Sequence, residues 1–203
     1  MLQAPTPLLI LASTSEARRG LLAAAGLRFE VRPALLDESA VKTAAKAEGA
    51  PAQDVAIRLA ALKAERVAAR EPDALVIGAD QILVGDETWF DKPGTVEAAR
   101  AHLRALRGKS HILATAIVCQ RGPQRIWQHS ASPRLTMRPM SDAFLDDYLA
   151  AEGEAVISSV GGYRLEGLGI HLFERIEGEY AAILGLPMLA LLGFLRQHGV
   201  VSS

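Results

Sequence analysis

The sequence has little of what secreted, membrane-bound or nucleic-acid-binding proteins need. Cys119 is the only cysteine among 203 residues, which excludes an internal disulfide and a cysteine-ligated zinc site. The formal net charge is −1, so no overall positive field would attract nucleic acid or an anionic membrane. The apolar runs Leu8–Ala12 and Ile183–Leu195 are too short for a membrane span, and Leu8–Ala12 is also too short for a signal sequence. We therefore expect a soluble cytoplasmic protein without nucleic-acid or membrane partners, in which any anion-binding site is local.

The remaining composition is that of an ordinary globular protein. Half of the residues are hydrophobic and 22% are charged. A chain of this length can form one large domain, or two lobes around a shared core. We expect the single cysteine to be a small side chain packed in that core.

Leu75–Ala79 is a short apolar run that predicts a strand buried on both faces. The run ends at Asp80, a position where α/β proteins often bind ligands beyond the carboxyl end of a strand. Lys92 follows twelve residues later, and Pro93 holds it in an extended conformation. A carboxylate and an ammonium on such a loop suit a phosphate substrate with a divalent cation. An aspartate that caps a turn and a solvated lysine explain this segment equally well.

The N-terminal segment contains a second candidate for phosphate binding. A predicted strand at Leu8–Ala12 leads directly into Ser13-Thr14-Ser15, and Ser15 is a good N-cap for a helix that ends before Gly26. Arg18 and Arg19 lie in the first turn, where the helix dipole disfavours cations. Hydroxyls, free helix N–H groups and two arginines favour a phosphate cradle over a capped surface helix with solvated arginines.

Two further charged positions are ambiguous from the residues alone. Residues 51–70 form an alanine-rich helix in which Lys63 interrupts an apolar stripe. The spacing favours a lysine that extends to water, although it could also point into a polar cleft. Asp37 and Glu38 follow a short apolar step, and they could bind a metal or solvate a turn. Without other information, the solvated turn is the better interpretation.

The rest of the chain predicts further strands and helices, including one that Thr95 caps and that runs to Leu106 before Gly108, and one that begins at Ser141 and ends at Gly153. We expect an antiparallel pair from His111–Cys119 and Gln124–Met137, and a short strand at Ala155–Ser159. Four glycines among residues 161–169 allow close backbone approach to a ligand, but they match no known phosphate-binding fingerprint. The final helix begins at Pro187, with three leucines expected to pack inward, namely Leu189, Leu192 and Leu195.

Taken together, these segments resemble the Maf family of nucleotide pyrophosphatases, which shares a superfamily with the inosine triphosphate pyrophosphatases. The resemblance extends from Leu9 to about Leu195, and its specificity comes from the ordered set of motifs. These motifs are Leu11-Ala12-Ser13-Thr14-Ser15 with Arg18, Asp37-Glu38, Lys63-Ala64, Gly78-Ala79-Asp80-Gln81, Lys92-Pro93, Gly161-Gly162-Tyr163, Glu166-Gly167, Ile176-Glu177-Gly178 and Gly185-Leu186-Pro187.

The resemblance implies one domain over residues 1–203, an α/β fold with a central mixed sheet, and two lobes around a deep cleft. It implies hydrolysis between the α- and β-phosphates of a nucleoside triphosphate, with a divalent cation, Mg²⁺, as cofactor. It also suggests a homodimer. A regulatory nucleotide-binding protein of septum formation and a metal phosphomonoesterase are the alternatives.

The resemblance also assigns roles to individual residues. Asp80 matches the proton acceptor and would hold the metal with Glu38. The phosphate-contacting positions are matched by Ser13, Arg18, Lys63 and Lys92, and the cradle described above adds Ser15. With this assignment Lys63 is expected to face the cleft.

Two positions concern the nucleobase. Gln81 and Glu166 match the branch of the family that resembles 7-methyl-GTP pyrophosphatases, and a glutamate can accept hydrogen bonds from the guanine N1–H and amino group. Glu16 and Ala17 depart from the family pattern, because proline is usual at the first position and arginine or tryptophan at the second. The loss of that charge or stacking surface leaves the choice of base open.

Overall fold

The computed structural model describes residues 3–202, which form seven α-helices and eight β-strands. The α-helices are α1 (Glu16–Ala24), α2 (Glu38–Ala47), α3 (Ala52–Ala68), α4 (Val96–Leu106), α5 (Asp142–Glu152), α6 (Tyr180–Ile183) and α7 (Met188–Gln197). The strands are β1 (Leu9–Leu11), β2 (Glu30–Val31), β3 (Leu75–Gly85), β4 (Thr88–Phe90), β5 (Ser110–Arg121), β6 (Gln124–Ala131), β7 (Arg134–Met137) and β8 (Phe173–Glu177). Short 3₁₀-helices span Gly153–Ser158, Val160–Gly162 and Leu168–Leu172.

The predicted α/β fold with a central mixed sheet and flanking helices is confirmed. Strand β1 pairs in parallel with β2 and β3, whereas β5 pairs antiparallel with β6 and β7. The chain forms two compact units. Of the described residues, the first unit comprises 3–81, 115–131 and 180–202, and the second comprises Ile82–Ala114 and Ser132–Glu179. Strands β3 and β5 therefore each contribute residues to both units.

The first unit is built on the parallel strands β1, β2 and β3. Leu9, Ile10 and Leu11 pair with Leu75, Val76 and Ile77, and all six side chains are buried, as two apolar runs of this kind predict. Helices α1 and α7 cover the sheet with Leu22, Phe194 and Leu195, which belong to the same apolar cluster. Cys119 is part of this cluster, and its predicted position in the core is confirmed.

The second unit contains β4, β7, β8 and the two helices α4 and α5. Strand β7 pairs with the start of β5 on one side and with β8 on the other. Thr95 caps α4 and Ser141 caps α5, each by accepting a hydrogen bond from the backbone three residues ahead. Both helices begin and end as their capping residues predict.

One prediction about β3 is wrong, because the strand does not end at Asp80. It continues through Gln81 to Gly85, and a two-residue turn at Asp86 and Glu87 leads into β4. Both turn residues have positive φ angles, the geometry that matches the twist of a tight hairpin. The antiparallel partner β4 stabilises the extension, so Asp80 lies inside a strand.

The segment Gln124–Met137 forms two strands instead of the single strand expected. It divides between β6 and β7 at Ser132-Pro133, because a proline cannot donate a hydrogen bond to the ladder. The strand predicted at Ala155–Ser159 is also wrong, since Gly153–Ser158 is a 3₁₀-helix. The Ser158 hydroxyl donates to the Ala155 carbonyl at 2.8 Å, a local bond that favours the turn over an extended chain.

The inward packing expected of Leu189 is wrong, because its side chain is 74% exposed. Helix α7 buries Met188, Leu191 and Leu195, which share one face at helical spacing. Leu189 lies one residue after Met188 and therefore points away from that face. Within residues 3–202, every helix is too short or too polar to form a transmembrane segment.

Candidate active site

A glycine in β3 determines how closely α3 approaches the sheet in the first unit. A Cβ atom at Gly78 would lie 2.1 Å from the Ala60 carbonyl oxygen and 2.9 Å from the Ala64 Cβ. Only glycine permits this contact between the helix and strand backbones. Lys63 precedes Ala64 on the helix and Asp80 follows two residues after the glycine, so the same contact brings these two side chains together.

Lys63 forms a bridge between two carboxylates. Its Nζ lies 2.5 Å from Asp80 Oδ1 and 2.8 Å from Glu38 Oε1. The lysine residue is only 7% exposed. The interpretation that spacing alone favoured, a lysine that extends to water, is therefore wrong, because two negative partners hold the ammonium group in the interior.

Asp80 is almost completely buried, with 3% of its surface exposed. Its Oδ1 accepts from Lys63, whereas Oδ2 has no hydrogen-bond partner among residues 3–202. Burial raises the pKa of Asp80, against the lowering effect of Lys63 and Arg18. A buried carboxylate oxygen without a donor indicates a place for a ligand, because such groups are rarely left unsatisfied in a finished core.

Glu38 differs from Asp80 in its environment. It is the first residue of α2, and Asp37 caps this helix by accepting from the Ala40 N–H at 3.0 Å. The Glu38 side chain is 43% exposed. Burial works to raise the pKa of Glu38, but the Lys63 ammonium outweighs it and leaves the pKa below the ordinary value. Helix α2 was missed from the sequence, although Asp37 and Glu38 are typical of a helix N-terminus.

Arg18 is buried and fixed from three directions. Its Nε donates to the Gly185 carbonyl at 2.9 Å, and its Nη1 donates to Ala79 O at 2.9 Å and to Ser13 Oγ at 3.2 Å. The two Nη2 hydrogens make no hydrogen bond to the described residues. Burial lowers the pKa of Arg18, whereas Asp80 and Glu38 raise it. An arginine stays charged in proteins, so this site holds a positioned cation with two donors available to a ligand.

Gly185 is required for this position of the guanidinium group. Its φ angle is +94°, and a Cβ at this position would lie 2.9 Å from Arg18 Nε. A side chain here would be strained and would also collide with the arginine. The motif Gly185-Leu186-Pro187 thus contributes a carbonyl acceptor and the space around it.

The two serines before α1, Ser13 and Ser15, differ in the hydrogen bonds that their hydroxyl groups accept. Ser15 is the N-cap of α1, as predicted, and its hydroxyl accepts from the Arg18 N–H at 3.4 Å. Ser13 Oγ accepts from the Ser15 N–H at 3.2 Å and from the Arg18 guanidinium group, which leaves the Ser13 hydroxyl proton for another acceptor. Arg19 does not share the buried position of Arg18, since it is exposed and pairs with Glu16.

Gln81 has its side-chain amide fixed by the protein. Its Nε2 donates to Thr115 Oγ1 at 2.7 Å and to the carbonyls of Ala182 and Ile183 at 3.0 and 3.1 Å. The Thr115 hydroxyl donates to the Ala182 carbonyl, so it can only accept from Gln81. This arrangement leaves Oε1 of Gln81 as an available acceptor. Thr115 itself carried no signal in the sequence, because an isolated threonine in a strand is ordinary.

The other two predicted site residues, Lys92 and Glu166, belong to the second unit. Lys92 is exposed and lies shortly before α4. Glu166 pairs with Arg164 at 3.5 Å, and Arg164 also pairs with the buried carboxylate of Glu152 at 3.2 Å. Glu152 accepts a further hydrogen bond from the Leu168 N–H at 2.7 Å, so it orders the backbone on both sides of Glu166. No local pattern around Glu152 indicates this role.

The first unit thus brings together Ser13, Arg18, Glu38, Lys63 and Asp80, all of them predicted site residues. In this mixed α/β fold, buried cations surround a buried carboxylate that is only partly satisfied. Sites of this kind are expected to bind polyphosphates. The family model for Maf-like proteins matches residues 8–198. The chain therefore belongs to the family of Maf-like proteins, which confirms the resemblance.

Curated relatives cover almost the whole chain. A protein of Granulibacter bethesdensis named nucleoside triphosphate pyrophosphatase is 56% identical over 94% of this chain and 96% of its own length. A protein of Rhodospirillum rubrum with the same name is 49% identical over the full length of both chains. A protein of Rhizobium meliloti named 7-methyl-GTP pyrophosphatase is 50% identical over 97% of this chain and 99% of its own.

Proposed function

We propose that this protein is a nucleoside triphosphate pyrophosphatase, which hydrolyses the anhydride between the α- and β-phosphates to a nucleoside monophosphate and pyrophosphate. The names of the relatives support this function. The structural observation that carries it is the buried carboxylate of Asp80, with Lys63 bonded to Oδ1, Arg18 held close by and Oδ2 unsatisfied. Such a group can accept a proton beside cations that bind phosphate.

In the proposed reaction, Asp80 orients a water molecule and accepts its proton through Oδ2. The water oxygen forms a bond to phosphorus while the bond between phosphorus and the bridging oxygen breaks. The bridging oxygen leaves with the pyrophosphate. The raised pKa of Asp80 suits this step, because a more basic carboxylate is a better proton acceptor.

The cationic residues stabilise the charge that develops on the leaving group. Arg18 offers its two Nη2 hydrogens and Ser13 its hydroxyl proton, and both are held by bonds that leave these donors free. Lys63 supplies an ammonium group with a flexible stem. Preorganised donors of this kind stabilise a transition state without reorganisation at the moment of reaction. We propose Ser15 and Lys92 as further phosphate contacts on the basis of the resemblance.

The donor set fits a divalent cation such as Mg²⁺. Among the described residues there is no cluster of three or more histidine, cysteine or acidic side chains that could hold a metal. Magnesium nevertheless binds proteins through one or two carboxylates together with substrate phosphates. Asp80, through the Oδ1 that Lys63 contacts, and Glu38 would hold the ion, which leaves the unsatisfied Oδ2 to accept the proton. When bound, the metal neutralises charge on the polyphosphate.

For the substrate, we propose a guanine nucleotide, namely 7-methyl-GTP. Relatives named 7-methyl-GTP pyrophosphatase support this choice. Gln81 offers Oε1 as an acceptor, and Glu166 offers a carboxylate held by Arg164. Each of these acceptors, taken by itself, suits the N1–H and amino donors of guanine. Ala17 supplies neither a charge nor a stacking surface, which leaves contact with the base to other residues.

One assay tests the function and the base together. The protein is incubated with Mg²⁺ and 7-methyl-GTP, dTTP, UTP or GTP, and the phosphate product is identified. We expect pyrophosphate, with the fastest release from 7-methyl-GTP. Orthophosphate would identify a phosphomonoesterase, whereas nucleotide binding without any product would favour a regulatory binding protein of cell division. A cytoplasmic location, a homodimer and a single domain with one cleft stay predictions from the sequence.

A further inference from the structure

We propose that Lys63 acts as a tethered cation, which occupies the divalent-cation position until a nucleotide draws its ammonium group away. The inference rests on the proposed function, because it concerns the metal and the nucleotide of that same site. The two carboxylates suited to a metal, Asp80 and Glu38, are also the two that Lys63 contacts, at 2.5 and 2.8 Å. The protein therefore provides its own competitor for the metal.

The balance of charge in the site supports this exchange. Asp80 and Glu38 provide two negative charges, which Lys63 and Arg18 already balance at short range, and Lys42 acts on Glu38 as a further positive charge. A divalent cation added to this cluster would bring uncompensated positive charge into a buried place, which is unfavourable. A triphosphate supplies the negative charge that allows Lys63, Arg18 and the metal to be present together. Metal binding and nucleotide binding should therefore strengthen each other.

The contacts of Lys63 allow such a change of partner. A lysine ammonium group is a compact charge with three donors on a four-carbon stem, so rotation of the side chain can transfer it from a carboxylate to a phosphate oxygen. Arg18, in contrast, is fixed to the carbonyls of Ala79 and Gly185. Of the two buried cations, only Lys63 has no bond that fixes it to the backbone.

A purely structural salt bridge would have a different form. A buried ion pair is costly unless the other oxygens and protons of its two charged groups also have hydrogen-bond partners. Here Asp80 Oδ2 lacks any donor among residues 3–202, and the Glu38 side chain is 43% exposed. The unsatisfied oxygen and the accessible glutamate give an incoming cation a first point of contact while Lys63 is still in place.

The test measures metal affinity without turnover. Binding of Mn²⁺ is followed by electron paramagnetic resonance for the wild-type protein and for Lys63→Met, both without nucleotide. We expect Lys63→Met to bind Mn²⁺ roughly tenfold more tightly or better, because a competing charge within about 4 Å has been removed. Lys63→Gln is measured in parallel, and circular dichroism verifies that each variant is folded. Lys109→Met, which removes an exposed lysine paired with Asp86, is the control and should bind Mn²⁺ as the wild type does.

A second arm measures the coupling to nucleotide. The α,β-methylene analogue of 7-methyl-GTP, which cannot be hydrolysed at that bond, should tighten Mn²⁺ binding in the wild type by roughly tenfold. The same analogue should have a smaller effect in folded Lys63→Met and Lys63→Gln. Mn²⁺ affinity that is equal in the wild type and in both variants would overturn the inference. This result would leave the proposed function intact if pyrophosphate release is observed, so the two failures are distinguishable.

Discussion

The two units use charged residues in opposite ways. In the second unit, α4 presents Arg100 and Arg104 to Asp146 and Asp142 of α5, at 2.5 and 2.7 Å, and all four side chains are substantially exposed. In the first unit, Lys63 and Asp80 form a pair of similar length that is almost inaccessible to solvent. Exposed pairs are screened by water and contribute little to stability, whereas a buried charge is costly unless it is fully compensated.

The comparison separates exposed ion pairs between two helices from a buried ion pair in the candidate site. The pairs between α4 and α5 have their carboxylate oxygens engaged by arginine donors. The buried pair leaves Asp80 Oδ2 without a donor among the described residues. Arg100 Nε is also buried without a partner among the described residues, but the carboxylate of its pair is satisfied. A buried carboxylate oxygen that lacks a donor is therefore a better indicator of a functional site than the number of ion pairs.

The largest effect is expected when the buried carboxylate loses its charge. Asp80→Asn should lower kcat for pyrophosphate release by roughly a thousandfold, within the range typical of a lost general base. The fold should persist, because asparagine has nearly the same shape. Asp142→Asn removes a carboxylate from the exposed network, and it should leave kcat unchanged. Steady-state kinetics and circular dichroism of both variants check this prediction, and a wild-type rate in Asp80→Asn would exclude the catalytic role.

The second unit has a buried ionisable group of its own, but this one is kept neutral. His111 Nε2 shares a hydrogen bond of 2.8 Å with the Tyr163 hydroxyl, and burial lowers the pKa of His111 to about 4. In the unfolded chain His111 takes up a proton near pH 6.5. Its contribution to the free energy of unfolding is therefore fully present above that pH and is lost as the pH falls towards 4. The loss should reach roughly 3 kcal/mol, which follows from the difference between the two pKa values.

Urea unfolding at several pH values between 7 and 4 checks this prediction about His111. The variant His111→Gln cannot be protonated in this range, and it should show a weaker decrease of the unfolding free energy. His129→Gln removes an exposed histidine of β6 and serves as the matched control. If the free energy of unfolding falls equally between pH 7 and 4 in the wild type and in His111→Gln, the acid sensitivity does not come from His111.

A smaller effect is expected for Arg18→Lys, which keeps the charge but loses the fixed guanidinium geometry. The lysine cannot reproduce the bonds to the carbonyls of Ala79 and Gly185 together with two free donors. We expect kcat/KM to fall roughly tenfold to a hundredfold, since hydrogen bonds to charged groups contribute about 1.5–3 kcal/mol. Arg104→Lys, in the exposed network, should not change kcat/KM. A normal kcat/KM in Arg18→Lys would show that only the charge matters.

The smallest effect concerns the choice of base. Glu166→Gln replaces one acceptor oxygen by a donor, while the segment around it is still ordered by Glu152. The ratio of kcat/KM for 7-methyl-GTP over UTP should fall by roughly tenfold, the value of about one hydrogen bond. The substrate panel is measured with both proteins under the same conditions. An unchanged ratio would remove Glu166 from recognition of the base.

Local signals in the sequence predicted much of the fold. Ser15, Thr95 and Ser141 mark helix starts that the structure confirms, because a cap depends on residues only three positions apart. The end of β3 could not be predicted in the same way, since its extension depends on pairing with β4. Leu189 was placed on the wrong side of its helix because the packing partners, not the spacing, choose the buried face.

The candidate site was predictable to a similar extent. Arg18 could be predicted as a site residue because the helix dipole disfavours a cation in the first turn, so an arginine there indicates a function. The environment of Lys63 was not visible from spacing, because it depends on the contact of Gly78 with α3 and on a carboxylate 17 positions away. The ordered set of motifs recovered this residue, whereas Thr115 and Glu152 act through contacts that leave no local pattern.

Cys119 offers a practical consequence for studies in solution. Its side chain is inaccessible in the core of the first unit, and burial raises the pKa of its thiol, so labelling reagents should not modify the native chain. Cysteines introduced at exposed positions such as Glu65 and Glu174, one in each unit, would then be the only reactive thiols. A donor and an acceptor dye at these positions would allow measurement of Förster resonance energy transfer. A change in transfer efficiency on adding nucleotide would report a change in the distance between the two labelled positions.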